Sequence, residues 1–232
     1  MLSDRDIKRE LIKAKNIAID PLKLENINGS SINFTASKNA WRVSDGESAV
    51  CHNNKKIIIP PRETVCILTE EVLWVSRRIS GTYHSRVSLS AKGLSNISTT
   101  LDPKWTGYSL ISLTNSSDQN QEIDVGTGIV TLTFDYLYTP TTKDSIEIAP
   151  SRSDIYSKFS LSDEQKELLD STEHRTPNRI KKKMLKTEAY WDLKEETWGR
   201  KIKNFFINPL VTGIVGALIG FIGSIIVAVF FK

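Results

Sequence analysis

Histidine and cysteine are scarce in this chain, three and two among 232 residues, and the scarcity removes several chemistries at once. No grouping of His, Cys and Asp has the spacing of a metal site, a zinc finger included. Cys51 and Cys66 read as free thiols, because two isolated cysteines do not make the framework of a small secreted domain. There is no glycine-rich phosphate loop, no nucleophile elbow and no RNA-binding signature. The first six residues, Met1-Leu-Ser-Asp-Arg-Asp, are charged and polar rather than the apolar stretch of a signal peptide. The N-x-Ser/Thr sequons at Asn28, Asn33, Asn96 and Asn115 are therefore read as incidental.

Charge is present but unevenly placed. The formal net charge is +4, and residues 175–203 hold ten Lys/Arg against four Asp/Glu. That segment is thus +6 and the remainder −2, so the basicity marks one segment and not a nucleic-acid groove; no nucleic-acid partner is expected. The length suits one domain of roughly 150–170 residues with an appendage.

Ser3 followed by Asp6 has the form of a capping box, and Ile7, Leu11 and Ile12 make one apolar stripe, which predicts a short opening helix. From Ile17 to about Tyr138 the chain is rich in β-branched residues broken by turns. Strands are predicted at 32–35, 56–59, 64–68, 73–75, 108–113 and 128–134, the last alternating cleanly. Many short strands with Pro and Gly turns argue for a β-sandwich or distorted barrel. Ser162 with Gln165 forms a second capping box, and Thr176-Pro177 starts a basic amphipathic helix running to Asn204. Met184, Trp191, Trp198 and Phe205 recur every seven residues along it, but Thr187, Lys194 and Lys201 make the seam half polar. A surface or stalk helix fits better than a self-sufficient coiled coil.

Residues 210–231 contain no charge and would span roughly 33 Å as a helix, which predicts one transmembrane helix. Gly213, Gly216, Gly220 and Gly223 would give it a small face for helix–helix packing. Basic residues precede this run and only Lys232 follows. A single-pass protein with its N-terminal domain in the cytoplasm is the resulting expectation, with the lipid bilayer as a partner.

The densest motif is 99–115, Thr-Thr-Leu-Asp-Pro-Lys-Trp-Thr-Gly-Tyr-Ser-Leu-Ile-Ser-Leu-Thr-Asn. It resembles the nucleotide pocket of the dCTP deaminase/dUTPase superfamily, whose members carry Ile-Asp-Pro-Gly-Trp/Phe-x-Gly and then a glutamate five residues after the last glycine. Leu101, Asp102, Pro103, Trp105 and Gly107 fit. Four further stretches fall in the family's order: the opening 1–7, Ser30-Ser-Ile-Asn33, Ile57-Ile-Ile-Pro-Pro-Arg-Glu63 and Arg86-Val-Ser-Leu-Ser-Ala-Lys-Gly-Leu94. Gly126-Thr-Gly-Ile129 stands where the family has Pro-Gly-x-x-Ile-Gly.

The resemblance implies a mainly β, dUTPase-like distorted barrel or jelly-roll-like domain over 1–158; the charge and hydropathy patterns add a basic amphipathic helical linker over 159–208 and the transmembrane helix over 209–232. It implies a homotrimer with nucleotide pockets between subunits. Arg86 and Ser88 match phosphate-side residues, Asp102 the aspartate at the deoxyribose and a candidate water-orienting base, and Trp105 the aromatic residue on the sugar. The positions matching the base-side chemistry are Val87, Ala91 and Ser112, and none can move a proton as a deaminase needs. The glycine-rich C-terminal closing motif of dUTPases is absent, and Ile155-Tyr-Ser-Lys158 only faintly echoes the deaminase closing segment. The resemblance implies no required cofactor, with Mg only as a nucleotide counter-ion if the chain is a hydrolase. Three readings stand: a membrane-anchored, trimeric nucleotide-binding protein without deaminase activity, such as a sensor in bacterial stress or anti-phage defence; a working deoxynucleotide enzyme attached to the membrane, either a deaminase or a triphosphate hydrolase; and a trimerisation scaffold for transmembrane helices.

Overall fold

The computed structural model describes residues 1–51, 55–143 and 153–207. The chain opens with helix α1 (Asp4–Lys13), and Ser3 and Asp6 make the expected reciprocal capping box. Strands follow in the order β1 (Ile17–Asp20), β2 (Ile27–Asn28), β3 (Ser31–Arg42), β4 (Val50–Cys51), β5 (Lys56–Ile59), β6 (Thr64–Val75) and β7 (Ile79–Ser85). After the one-turn helix α2 (Val87–Ser90) come β8 (Leu94–Ser95), β9 (Thr99–Leu101), β10 (Thr106–Asn115), β11 (Gln121–Asp124) and β12 (Gly128–Tyr136). The C-terminal part holds α3 (Ser153–Tyr156), α4 (Asp163–Asp170), α5 (Pro177–Met184) and α6 (Glu188–Ile207).

The main sheet runs β8-β10-β6-β3-β12-β7-β9, with β1 also on β6 and β2 also on β3. β11, β5 and β4 form a second, small sheet. β3 joins the two halves of the main sheet: residues 31–35 pair with β2 and β12, and residues 36–42 pair with β6. Fully buried side chains come from both halves, with Phe34 and Phe134 on one side of this switch and Ile67 and Leu73 on the other.

The switch depends on two bulges. On β3, Ser37–Asn39 stand against the single residue Leu68, since Ala36 pairs with Thr69 and Ala40 with Ile67. On β6, residues 69–71 stand against Ser109 alone. The Thr69 hydroxyl closes the second bulge, donating to the Glu71 carbonyl at 2.8 Å and accepting from the Ser109 N–H at 3.1 Å. Such bulges twist and bend a sheet. They also explain why the strands are longer than their sequence suggests. Glu70-Glu71 looks like a break between two strands, but Glu71 is 2% exposed inside β6. Its carboxylate accepts from both the N–H and the hydroxyl of Thr35, each at 2.8 Å, and burial raises its pKa.

The C-terminal segment packs on the face made by these bulges. Trp41 stacks on Phe159 with ring centroids 5.3 Å apart, in a cluster with Leu68, Ile155 and Leu169. α4 begins at the expected Ser162–Gln165 capping box. α5 has Pro177 in its first turn, and its Met184 sulfur accepts from the Ile19 N–H at 3.4 Å. One compact unit therefore runs from Met1 to Tyr190, and a second begins at Trp191.

Two expectations are corrected. The basic helix is not continuous from 177 to 204. It stops at Met184 and restarts at Glu188, because the Thr187 hydroxyl donates to the Met184 carbonyl and accepts from the Tyr190 N–H, acting as a cap for α6. Met184 is fully buried while Trp191 and Trp198 are exposed, so the seven-residue series is not one stripe. The second correction concerns localisation. The expected single-pass membrane protein with a cytoplasmic N-terminal domain is overturned, because among the described residues no helix is long and apolar enough to cross a membrane. The longest, α6, carries Asp192, Lys194, Glu195 and Glu196 in its first three turns. A charge at a bilayer centre costs about 2.5–3.5 kcal/mol. The apolar run 210–231, with Gly213, Gly216, Gly220 and Gly223, lies outside the described residues.

Candidate functional site

β7 carries a matched residue group at one end and meets a second group at the other. Its C-terminal end delivers Arg86, which sits in extended conformation as the N-cap of α2. The Arg86 Nη1 donates to the Gly128 carbonyl at 2.7 Å, which fixes the guanidinium across the start of β12. Gly128 is required for this contact, because a Cβ there would stand 1.9 Å from that Nη1. Ser88 is exposed on α2 beside Arg86, and Val87 and Ala91 are exposed as well. The Ser85 hydroxyl, bonded to Asn96, ties this end to the chain just before β9.

The second group follows β9, which pairs with β7 through Leu101 and Gly81. Asp102 is exposed at the start of the turn, and its carbonyl accepts from the Trp105 N–H at 3.2 Å. Lys104 holds a left-handed φ of 67°, at the position where the motif has glycine. The Trp105 carbonyl accepts from the Val75 N–H at 3.1 Å, and its indole Nε1 donates to the Gly107 carbonyl at 3.3 Å. These bonds anchor the turn to β6 and leave the indole partly exposed. The strands on either side diverge: β9 pairs with β7, whereas β10 pairs with β6 and β8. Tyr83 on β7 and Ser109 on β10 bridge the gap through their hydroxyls at 2.6 Å.

The structure thus brings Arg86 together with Ser88, and Asp102 together with Trp105, but separates the two pairs. Asp102 lies one residue beyond the Leu101–Gly81 pair, about six residues along β7 from Arg86. At about 3.4 Å per residue that is roughly 20 Å. Ser112 lies elsewhere again, opposite Cys66, which in turn is opposite Trp41, so the serine shares a row with the side chain that Phe159 covers. Both cysteines are half-buried, and they are not joined as a disulfide. Among the described residues no group of His, Cys, Asp and Glu is placed to hold a metal ion. Sequence reasoning missed the roles of Gly128, Lys104 and the Tyr83–Ser109 bridge. The Gly126-x-Gly128 pair was the available signal for the first.

Comparison with known proteins identifies the family. A profile of the dCTP deaminase-like family matches residues 1–137. The dCTP deaminase of Pyrococcus horikoshii is 28% identical over 126 residues, covering 54% of this chain and 80% of that protein. A probable deoxyuridine 5'-triphosphate nucleotidohydrolase of Sulfolobus islandicus rod-shaped virus 1 is 30% identical over 118 residues, covering 50% of this chain and 72% of that protein. Among solved structures, the 2'-deoxycytidine 5'-triphosphate deaminase of Agrobacterium tumefaciens is similar at 12% identity and a TM-score of 0.48, over 57% of this chain and 46% of that one. The profile spans the opening helix, both residue groups and the sheet that separates them, more than half of the sequence. This chain therefore belongs to the dCTP deaminase-like family.

Proposed function

We propose that the chain is a nucleotide-binding protein whose site closes between two copies of itself, and that it does not deaminate. The observation that carries the reading is the roughly 20 Å between Asp102 and Arg86 along β7. A sugar and its phosphates are covalent neighbours, so side chains that hold them must lie closer than that. One copy's Arg86 end set against another copy's Asp102 turn meets the requirement, and in a ring of three every such contact is equivalent. Val87 and Ile97, 85% and 80% exposed beside Arg86, would be covered in the same contact.

Within such a site each group has a chemical task. With Nη1 held by Gly128, the other Arg86 N–H groups present a planar fork to phosphate oxygens. Asp102 can accept from a sugar hydroxyl, and the Trp105 ring offers a flat apolar face. The base side lacks an acid or base, since the matching positions are Val87, Ala91 and Ser112. Retention of Asp102 favours one second reading, a triphosphate hydrolase in which this carboxylate orients water.

The test is a calorimetric titration of the full chain with dCTP and dUTP, with chromatography of the products. Binding without uracil-containing product from dCTP is expected, and Arg86→Ala or Asp102→Ala should each weaken binding by about tenfold or more. Deamination of dCTP at about 1 per second would refute inactivity. Release of pyrophosphate from dUTP, lost in Asp102→Ala, would establish the hydrolase reading instead. No binding of either nucleotide would leave the scaffold reading.

A further inference from the structure

A cavity of about 530 Å³ opens where the two strand bulges face the C-terminal segment. Its floor comes from Asn39 on the β3 bulge, Glu70 on the β6 bulge and Tyr108 on β10. Val50, Val125 and Leu168 supply apolar wall, and Lys38 and Lys55 supply the cations. A second hollow of about 310 Å³ shares Lys38, Asn39 and Leu168 with it. Leu168 belongs to α4, beyond the residues 1–137 that the family profile matches. The cavity is thus a product of the family domain and the segment that follows it, and it contains neither Arg86 nor Asp102.

We propose that this cavity is a second ligand site, for a small aromatic molecule with one anionic group, such as an aryl or heterocyclic phosphate, sulfonate or carboxylate. Three observations define that class. First, Asn39 offers a donor. Asn39 is 6% exposed; its Oδ1 accepts from Gln165 at 3.2 Å, and its Nδ2 has no acceptor among the described residues. A ligand acceptor can take this donor in place of water. Second, two lysines line the cavity against one carboxylate, Glu70. Glu70 is already held by Lys23 at 2.7 Å, and Lys55 has no carboxylate partner among the described residues. Lys38 meets Glu164 at 2.7 Å, but both side chains are more than 60% exposed, so an anion can displace that pair at small cost. Third, Tyr108, Val50, Val125 and Leu168 leave apolar surface that water does not satisfy, as expected of a small-molecule site.

The probe is 1-anilinonaphthalene-8-sulfonate, a ring-bearing monoanion whose fluorescence rises on binding, titrated into the full-length chain. Saturable binding at one site per chain is expected, displaced by phenyl phosphate but not by benzylamine. Lys55→Glu should weaken it by about tenfold or more without lowering the melting temperature, since that side chain is exposed. Leu168→Trp, which fills the wall, should abolish it. Arg86→Ala should leave it unchanged, which separates this site from the nucleotide site. The proposal is overturned by binding that does not saturate, by equal displacement with benzylamine, by indifference to both Lys55→Glu and Leu168→Trp, or by loss in Arg86→Ala.

Discussion

Gly128→Ala should weaken nucleotide binding through Arg86 while leaving the fold nearly intact. The added methyl would stand 1.9 Å from the Arg86 Nη1 and 3.0 Å from its Cζ, whereas its next neighbour, the Asn33 Cβ, lies at an ordinary 3.6 Å. Gly128 does not have a left-handed φ, so alanine fits its backbone. Only the guanidinium, the far end of a flexible side chain, must leave. The 2.7 Å bond to the Gly128 carbonyl is lost, but Arg86 is partly exposed and water replaces it. The stability cost should therefore stay below about 1 kcal/mol. Binding suffers more, because the displaced fork no longer meets phosphate in its two-point geometry. Loss of such a contact costs about 2–3 kcal/mol, or roughly 30- to 150-fold in Kd. Calorimetry gives the affinity and urea unfolding the stability. In Arg86→Ala, adding Gly128→Ala should change affinity no further. A loss below about threefold, or additive effects in the double variant, would refute the role of Gly128 as the seat of Arg86.

Lys104→Gly relieves a left-handed φ of 67° and should raise unfolding stability in urea by up to about 1 kcal/mol, strain relief less the entropy of the new glycine; a loss of stability would refute the strain. His174 packs against Tyr108 with ring centroids 5.0 Å apart, and burial, aided by Lys183 and opposed by Glu173, lowers its pKa below 6.5. A group with a lowered folded pKa contributes stability that is present above 6.5 and is lost as pH falls through the folded value. His174→Gln should therefore flatten the loss of stability on acidification below about pH 6.5 relative to the parent, read by urea midpoints across pH; parallel curves would refute it.

Local signals were the most legible. The two capping boxes at Ser3–Asp6 and Ser162–Gln165 and the proline start of α5 are each complete within a few residues, and each stands where the sequence puts it. β5 was readable to the residue for the same reason. The misread ends of β3 and β6 share one cause. Ser37–Asn39 and residues 69–71 look like breaks because they are polar, and only pairing with Thr35, Ser109 and one another makes those groups tolerable inside a sheet. The restart at Glu188 depends on which way the Thr187 hydroxyl turns, which a periodicity cannot encode. Arg86, Asp102 and Trp105 were singled out by motif. Their separation along β7 was not, because the order of motifs in a chain does not fix which strands become neighbours. The cover that Phe159 and Leu169 give the Ser112 row is likewise a tertiary contact between distant segments.

A site divided between copies can be tested by mixing two variants that bind weakly. Arg86→Ala and Asp102→Ala chains, each tagged differently, are unfolded together in equal amounts, refolded and titrated with the nucleotide that the parent binds. If one copy supplies Arg86 and its neighbour supplies Asp102, random assembly leaves about one site in four with both residues intact. The mixture should then regain about a quarter of the parent's binding stoichiometry at parental affinity, while neither variant alone regains any. A mixture that binds no better than the two variants separately would place both residues in a site within one chain and contradict the account.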